Sequence, residues 1–570
     1  MIILFFVFFY VFIITYSWGR LFQRVLRIET AKESNLTSIS ITSILGVIAL
    51  STVGSFVSLA WRINWEFQVI VFAISLTSII FIKPFKEINI FKSETRSNLL
   101  VLTVSFILAF VVILYATSSS VKNPDTGIYH AQAIRWIESY PAIPGLANIH
   151  QRLGYNSSWI MVNAIFSFSF LGKQSFHFMT GYLILITTAY FFDGFKNVLG
   201  KSGSINDYVK TILLVCMFVF MLDQASSPGT DIPAAIFIGI SMCEAIEMFE
   251  KGDTHNNSRI IFLMILVSYC LTVKLSTVPI ILVAIPFIFS SLKYRQTKQL
   301  WSASLSALAV ITPFMLRNMV LSGYLVFPGM TFSPIILDWR LPTEIVQRES
   351  KVIKWFATLP NSSMERYESL SFRAWSREWF LNLNYMHRFL ICINIVFPFF
   401  MLSLFTVESW RAYIKKNIPI LYLLGASISG VIFWFFSAPA IRFGLGFLLT
   451  TIAIYFAFFI PWIIGKIPIN RKLLMTCFIL GSLSVILLIF TRSISLSSFE
   501  RRITSIKAVI ISPRDYPVWS TSICEFKNFE MLCANEYNSC WYDPFPCVTS
   551  ADPNVEMRSA DIQDGFRYIP

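Results

Sequence analysis

Apolar runs of roughly 15 to 23 residues recur along this chain, each long enough to cross a bilayer as a helix. Candidate spans fall near residues 3–18, 40–60, 66–82, 98–116, 175–193, 209–223, 232–249, 259–273, 276–291, 301–321, 387–407, 418–437, 443–465 and 473–491. That is about fourteen, so the expected fold class is an all-α polytopic membrane protein. Only 14% of the residues are charged and mean hydropathy is +0.64, where a soluble chain carries about a quarter charged residues. The first run (1–20) has no basic start and no small-x-small cleavage site, so it reads as a retained span rather than a signal peptide.

The net charge of +14 does not point to nucleic acid, because the basic residues sit largely in short loops between apolar runs. Those loops set the orientation. Arg20, Arg24, Arg27 and Lys32 form one. Lys83, Lys86, Lys92 and Arg96 form another. Lys196 and Lys201, then Lys293, Arg295 and Lys298, then Arg411, Lys415 and Lys416, and finally Lys466, Arg471 and Lys472 continue the series. All are expected on the cytoplasmic side.

Two segments decide the map. SSWIMVNAIFSFSFLG (157–172) is short for a span and carries Asn163, Ser167 and Ser169, so it is read as a helix lying at the outer interface. Residues 259–291 are read as two short helices with Lys274 at an outward turn. Taken as one long helix, they would put the later basic loops outside. The outer face then displays loop 117–174, a turn around Asp231, segment 322–386 and a tail from about residue 492. The tail holds Cys524, Cys533, Cys540 and Cys547, and four clustered cysteines on an oxidising face point to disulfides. Zinc is the rival, but the tail has no His and no CxxC pair. The pairing is open, with Cys540–Cys547 the first choice because only a short Pro-containing loop separates them.

The chemistry-bearing stretch is NPDTGIYHAQAIRWIESYPAIPGLANIHQRLGYNSS (123–158), where ionisable and hydrogen-bonding groups concentrate between long apolar regions. Asp125 opens a short helix on which Tyr129, Gln132, Ala133 and Trp136 share a face. Two readings of Asp125 stand level: a helix N-cap, or a carboxylate at a cavity mouth able to take a proton from an acceptor hydroxyl. His130, His150 and Arg152 can meet a phosphate or sugar hydroxyls, but each alone also fits loop packing or a lipid headgroup. Asp231, in the SSPGTDIP turn, is again a cap or a second site acid, and it falls on the same face as Asp125. Lys274, Arg317 and Arg442 lie near outer span boundaries, where snorkelling is the default for any one of them. Together, three cations and two acids on one face make a site for an anionic, lipid-linked substrate.

This pattern resembles the GT-C superfamily of membrane glycosyltransferases, which includes protein mannosyltransferases, the aminoarabinose transferase of lipid A and oligosaccharyltransferases. The matching features are Asp125 in the first large outer loop, the 157–172 helix and Asp231 in the next outer loop. So do FKNVLGKSG (195–203), SPGTD (227–231), TVKLST (272–277) and RNMVLSGYLVFP (317–328). The loop GLANIHQRLGYNSS (145–158) and the tail segment CWYDPFPC (540–547) look most like a bacterial group related to polyprenyl-phosphate-sugar-dependent transferases. Many members carry Asp-Glu in the first loop, whereas Thr126 follows Asp125 here, so that second acid has no counterpart.

The resemblance covers about 98–450 and implies three parts: added spans in 1–97, a GT-C-like core in 98–491 and an exterior tail in 492–570. It further implies an inverting transferase in the bacterial cytoplasmic membrane. A polyprenyl-phosphate-linked sugar would be the donor and a cell-envelope glycan, lipid or protein the acceptor. Asp125 would act on the acceptor, and Lys274, Arg317 or Arg442 would hold the donor phosphate. A divalent cation (Mg or Mn) is used by some members and not by others, and the residues leave this open. The rival classes are a transporter or flippase of lipid-linked sugars and a non-catalytic assembly subunit. A transporter often shows internal repeats and broken helices at mid-membrane, and neither is evident in the sequence.

Overall fold

A computed structural model describes residues 1–28, 35–87, 96–172, 175–200, 203–329, 332–464, 511–535 and 538–569. Helices α1 (Ile2–Leu26), α2 (Asn35–Val57), α3 (Trp65–Ile82) and α4 (Arg96–Ser118) come first. A stretch of short elements follows: α5 (Ala131–Ser139), α6 (Leu146–Ile149) and α7 (Ser158–Ile165). Then come α8 (Met179–Leu199), α9 (Ile205–Phe220), α10 (Asp231–Glu250), α11 (Asn257–Val273), α12 (Ile281–Lys293) and α13 (Thr297–Ser322). Surface helices α14 (Thr343–Thr358), α15 (Met364–Ser369) and α16 (Phe372–Asn382) precede α17 (Tyr385–Ser403), α18 (Glu408–Lys416), α19 (Ile418–Ser437) and α20 (Ile441–Ile464). Among the described residues, nine helices are long and apolar enough to cross a membrane, so the chain is a multi-pass membrane protein. A helix forms over each expected span except 473–491, which lies outside the described residues, as do Lys32, Lys92, Lys201, Lys466, Arg471 and Lys472.

Polar residues set several helix starts. Asn64 accepts from the Trp65 amide to begin α3, Asn256 caps α11, and Ser204 with Asp207 forms a reciprocal capping box on α9. The 259–291 region breaks where expected: Lys274 is extended (φ −159°, ψ 131°), and a 3-10 turn Leu275–Ile280 separates α11 from α12.

The 157–172 segment differs from expectation. Its helix is only eight residues long, Ser158–Ile165, and every one of them is buried. It packs against α2, α5 and α11. With Trp159, Ile160, Met161, Val162 and Ile165 distributed around it, this helix has no polar face to turn to water. It is therefore wedged inside the protein rather than lying on a lipid surface.

Helix α10 is the buried centre, closed in by α8, α9, α11 and α20. Its 20 residues give a length of roughly 30 Å. One end carries Asp231. The other carries a buried ionic network in which Glu247 meets Lys210 (3.3 Å), Arg259 (3.3 Å) and Lys251, with Tyr190 donating to Glu244 at 2.6 Å.

Helices α1 and α2 cross backbone to backbone. A Cβ at Gly19 would lie 1.8 Å from the Thr42 carbonyl oxygen, and one at Gly46 would lie 1.7 Å from that of Thr15. Gly46→Leu should therefore force the pair apart and destabilise the protein by about 2 kcal/mol or more. Thermal unfolding in detergent reads this, with Gly425→Leu as control because nothing stands within 4 Å of a Cβ there. Equal melting temperatures for the two variants would remove the close crossing from the stability account.

The described residues of the tail are built mainly on short strands. Strands β1 (Thr521–Glu525) and β2 (Glu530–Ala534) pair antiparallel, β3 (Cys547–Val548) adds parallel to β2, and β4 (Val555–Met557) pairs with β5 (Phe566–Tyr568). Disulfides join Cys524 to Cys533 and Cys540 to Cys547, the second being the expected pair. The tail buries Phe526, Val548, Val555 and Phe566 against Trp136, Ile143, Leu146 and Leu153 of the 123–158 stretch.

Candidate functional site

Two turns bring acids together. Asn123 Oδ1 accepts from the Asp125 amide (3.1 Å), and the chain then enters a π-helical turn, Thr126–His130. Asp125 occupies the cap position, yet its carboxylate makes no capping hydrogen bond. It lies 2.8 Å from Arg442 Nη2 and 3.9 Å from Arg152 Nη1 instead. Asp231 opens α10 and pairs with Lys274, with its other oxygen 3.6 Å from Arg442 Nε. Both carboxylates thus engage one guanidinium, which Asn123 Oδ1 also accepts from at 3.4 Å. The Lys274 ammonium and the Arg442 guanidinium stand 3.8 and 5.1 Å from the Phe443 ring centre.

The cluster lines a cavity of about 440 Å³. Phe327, Ile353, Phe356, Phe433, Trp434 and Phe443 line its apolar part. Of these, Phe356 and Phe433 are 45% and 38% exposed. A second cavity of about 270 Å³ lies beyond Asp231 and Arg442, which line both; its other polar walls include Lys122, Asn123, Asp223, Gln224 and His387.

Of the residues singled out in the sequence, Asp125, Asp231, His130, Arg152, Lys274 and Arg442 meet at the first cavity. His130 is 2% exposed, and burial pulls its imidazole down to about 4, so it is neutral at pH 7. Two expected members are elsewhere. The His150 ring accepts from the Arg152 amide at 3.3 Å and caps the turn Gln151–Gly154, lining neither cavity. Arg317 is buried within α13 and donates to Ser58 Oγ at 2.6 Å, because its turn of the helix faces α2. Among the described residues, no three His, Cys, Asp or Glu side chains are grouped to hold a metal ion.

Sequence reasoning missed Tyr155 and Glu349. The Tyr155 hydroxyl donates to the Glu349 carboxylate, which also lies 3.9 Å from Arg152 Nε. A signal was present: Val346, Glu349, Ser350 and Ile353 share one face of α14, so Glu349 is the acid on a stripe that begins and ends with apolar residues.

Fold and site define a multi-pass membrane protein in which a paired-acid cluster lines an amphiphilic cavity. A family model described as "Domain of unknown function (DUF8201)" matches residues 1–449, and the chain belongs to that family. The matched region contains every residue of the cluster and ends before the tail. No curated protein and no solved structure matches the chain.

Proposed function

We propose that the protein is a GT-C-type inverting glycosyltransferase. It moves a sugar from a polyprenyl-phosphate-linked donor to a cell-envelope glycan, lipid or protein acceptor. On this reading the helices form a GT-C-like fold of about fourteen spans. The protein sits in the bacterial cytoplasmic membrane, with the site and the tail on the outer side. The observation that carries the proposal is the cavity of about 440 Å³ lined both by Asp125, Asp231, Arg152, Lys274 and Arg442 and by Phe327, Phe356, Phe433, Trp434 and Phe443. A lipid phosphate needs that combination: cations for the headgroup and an apolar track for the chain.

The chemistry follows from the pairing. A donor phosphate competes with Asp125 for Arg442 and Arg152. A carboxylate released from its ion pair is a better base, and Asp125 can then take the proton of an acceptor hydroxyl arriving from the second cavity. The acceptor oxygen bonds to the anomeric carbon as the bond from that carbon to the phosphate oxygen breaks. The departing phosphate leaves with its electron pair against the cations.

The test is purified protein in nanodiscs, supplied with a panel of polyprenyl-phosphate sugars and a cell-envelope extract as acceptor. Release of free polyprenyl phosphate that needs both the protein and the extract is expected, and parallel reactions with EDTA decide any cation requirement. Movement of the intact donor between leaflets without release would replace the proposal with a lipid transporter. Saturable donor binding with neither outcome would replace it with an assembly subunit.

A further inference from the structure

The tail reaches both acid-bearing turns. Gln132 is 1% exposed, and its side-chain amide donates to the carbonyls of Trp541 (2.9 Å), Pro544 (3.0 Å) and Tyr542 (3.4 Å). Its amide oxygen accepts from the Cys547 amide at 3.1 Å. One glutamine therefore fills the ring closed by Cys540–Cys547. The ring answers through the backbone: the amides of Cys540 and Trp541 both donate to the Gly127 carbonyl at 2.9 Å. Gly127 lies two residues after Asp125, inside the π-helical turn. The fit is close, since a Cβ at Gly127 would meet the Trp541 ring at 2.9 Å. Tyr542 adds a bond from its hydroxyl to Glu138 at 2.5 Å, at the far end of α5.

The first described residues of the tail reach the second acid turn. The Arg514 amide donates to the Ser118 carbonyl (3.1 Å), at the end of α4. The His177 ring lies between two carbonyls, that of Arg514 at 2.6 Å and that of Ser226 at 2.8 Å. Ser226 belongs to the turn that leads to Asp231. A separately folded appendage would have no reason to engage both turns through donors as deeply buried as Gln132 and His177.

We propose that the disulfide-bearing tail is a positioning clamp. Gln132, seated in the Cys540–Cys547 ring, holds the turn of Asp125 in register with Arg442, and the 511–517 segment does the same for the turn of Asp231 through His177. Gln132 is thus a positioning residue, acting on Asp125 through Gly127. The effect on transfer rests on the function proposed above, whereas the effect on backbone order does not.

The test uses the full chain in nanodiscs and compares wild type, Gln132→Met, Gln132→Glu and the double variant C540S/C547S. Wild type treated after folding with a water-soluble phosphine covers the case in which the double variant fails to fold. Methionine keeps the length of the side chain and removes all four hydrogen bonds, and glutamate keeps only the acceptor for Cys547. Hydrogen exchange at residues 123–131 should rise about tenfold or more in Gln132→Met and on reduction, with exchange in α10 and α20 unchanged. Gln132→Glu should fall between Gln132→Met and wild type. Turnover per folded molecule should drop in the same order, with the KM for the donor within about twofold of wild type. Wild-type exchange at 123–131 in both Gln132→Met and reduced protein would overturn the clamp, whatever the activity. Faster local exchange in a protein with no transferase activity at all would support the clamp and count against the proposed reaction alone.

Discussion

Asp125→Asn is expected to lower transfer by roughly a hundredfold or more while leaving insertion and folding intact. The side chain takes up nearly the same space. The carboxylate caps nothing, so no helix start is lost. Arg442 keeps Asp231 as a partner at 3.6 Å. Asp125 is also partly open to the cavity, its side chain 14% exposed, so removing its charge leaves no sealed, unpaired cation behind. A residue serving only stability would show the reverse: a lower melting temperature with normal activity per folded molecule. Asp231→Asn separates the same readings with a smaller expected loss, because that carboxylate stays engaged with Lys274 and orients groups rather than moving a proton. Activity is read as polyprenyl phosphate released per folded protein, with amounts matched by blot. Wild-type rates in both Asn variants would leave the cluster as structural ion pairing and move the assignment to transport or assembly.

How much of this was legible in the sequence depends on what kind of contact carries it. Apolar runs give helices directly, and the break at Lys274 follows from loop charge. The Cys540–Cys547 bridge follows from a short loop. The shared face of Tyr129, Gln132, Ala133 and Trp136 was also readable, and the tail packs on it: Gln132 enters the disulfide ring and Trp136 lies 4.9 Å from the ring of Phe545. Sequence gives the depth of a residue in the membrane but not its direction around the helix axis. That is why Arg317, at a plausible depth, turned out to face Ser58 rather than the cavity. His150 failed for a local reason, since a ring nitrogen beside a free amide two residues on satisfies itself as a cap. The clamp had no signature, because its partners are backbone groups of Gly127, Trp541 and Pro544, which any residue supplies.

Arg442 should be the most sensitive cation. Among the described residues it is the one side chain ion-paired with both carboxylates, through Nη2 to Asp125 and Nε to Asp231, and it lines both cavities. Arg442→Met leaves two carboxylates facing each other with Lys274 and Arg152 as the nearby cations, and it removes the forked donor that a phosphate would take over. The expected loss of transfer is about a hundredfold to a thousandfold, the range for deleting one donor to developing charge. Arg442→Lys should recover little of it. A single ammonium is a point charge and cannot address two carboxylates, or two phosphate oxygens, in the fixed geometry of a guanidinium. Because Asp125 and Arg442 act as a unit, the double variant D125N/R442M should be only slightly worse than R442M alone. The measurement is a double-mutant cycle on turnover, with donor binding followed separately by quenching of the cavity tryptophan, Trp434. If Arg442→Lys ran at the wild-type rate, the forked bridge would have no part in the chemistry. If the two losses simply multiplied, Asp125 and Arg442 would be acting on different steps, and release of Asp125 by the arriving phosphate would be wrong.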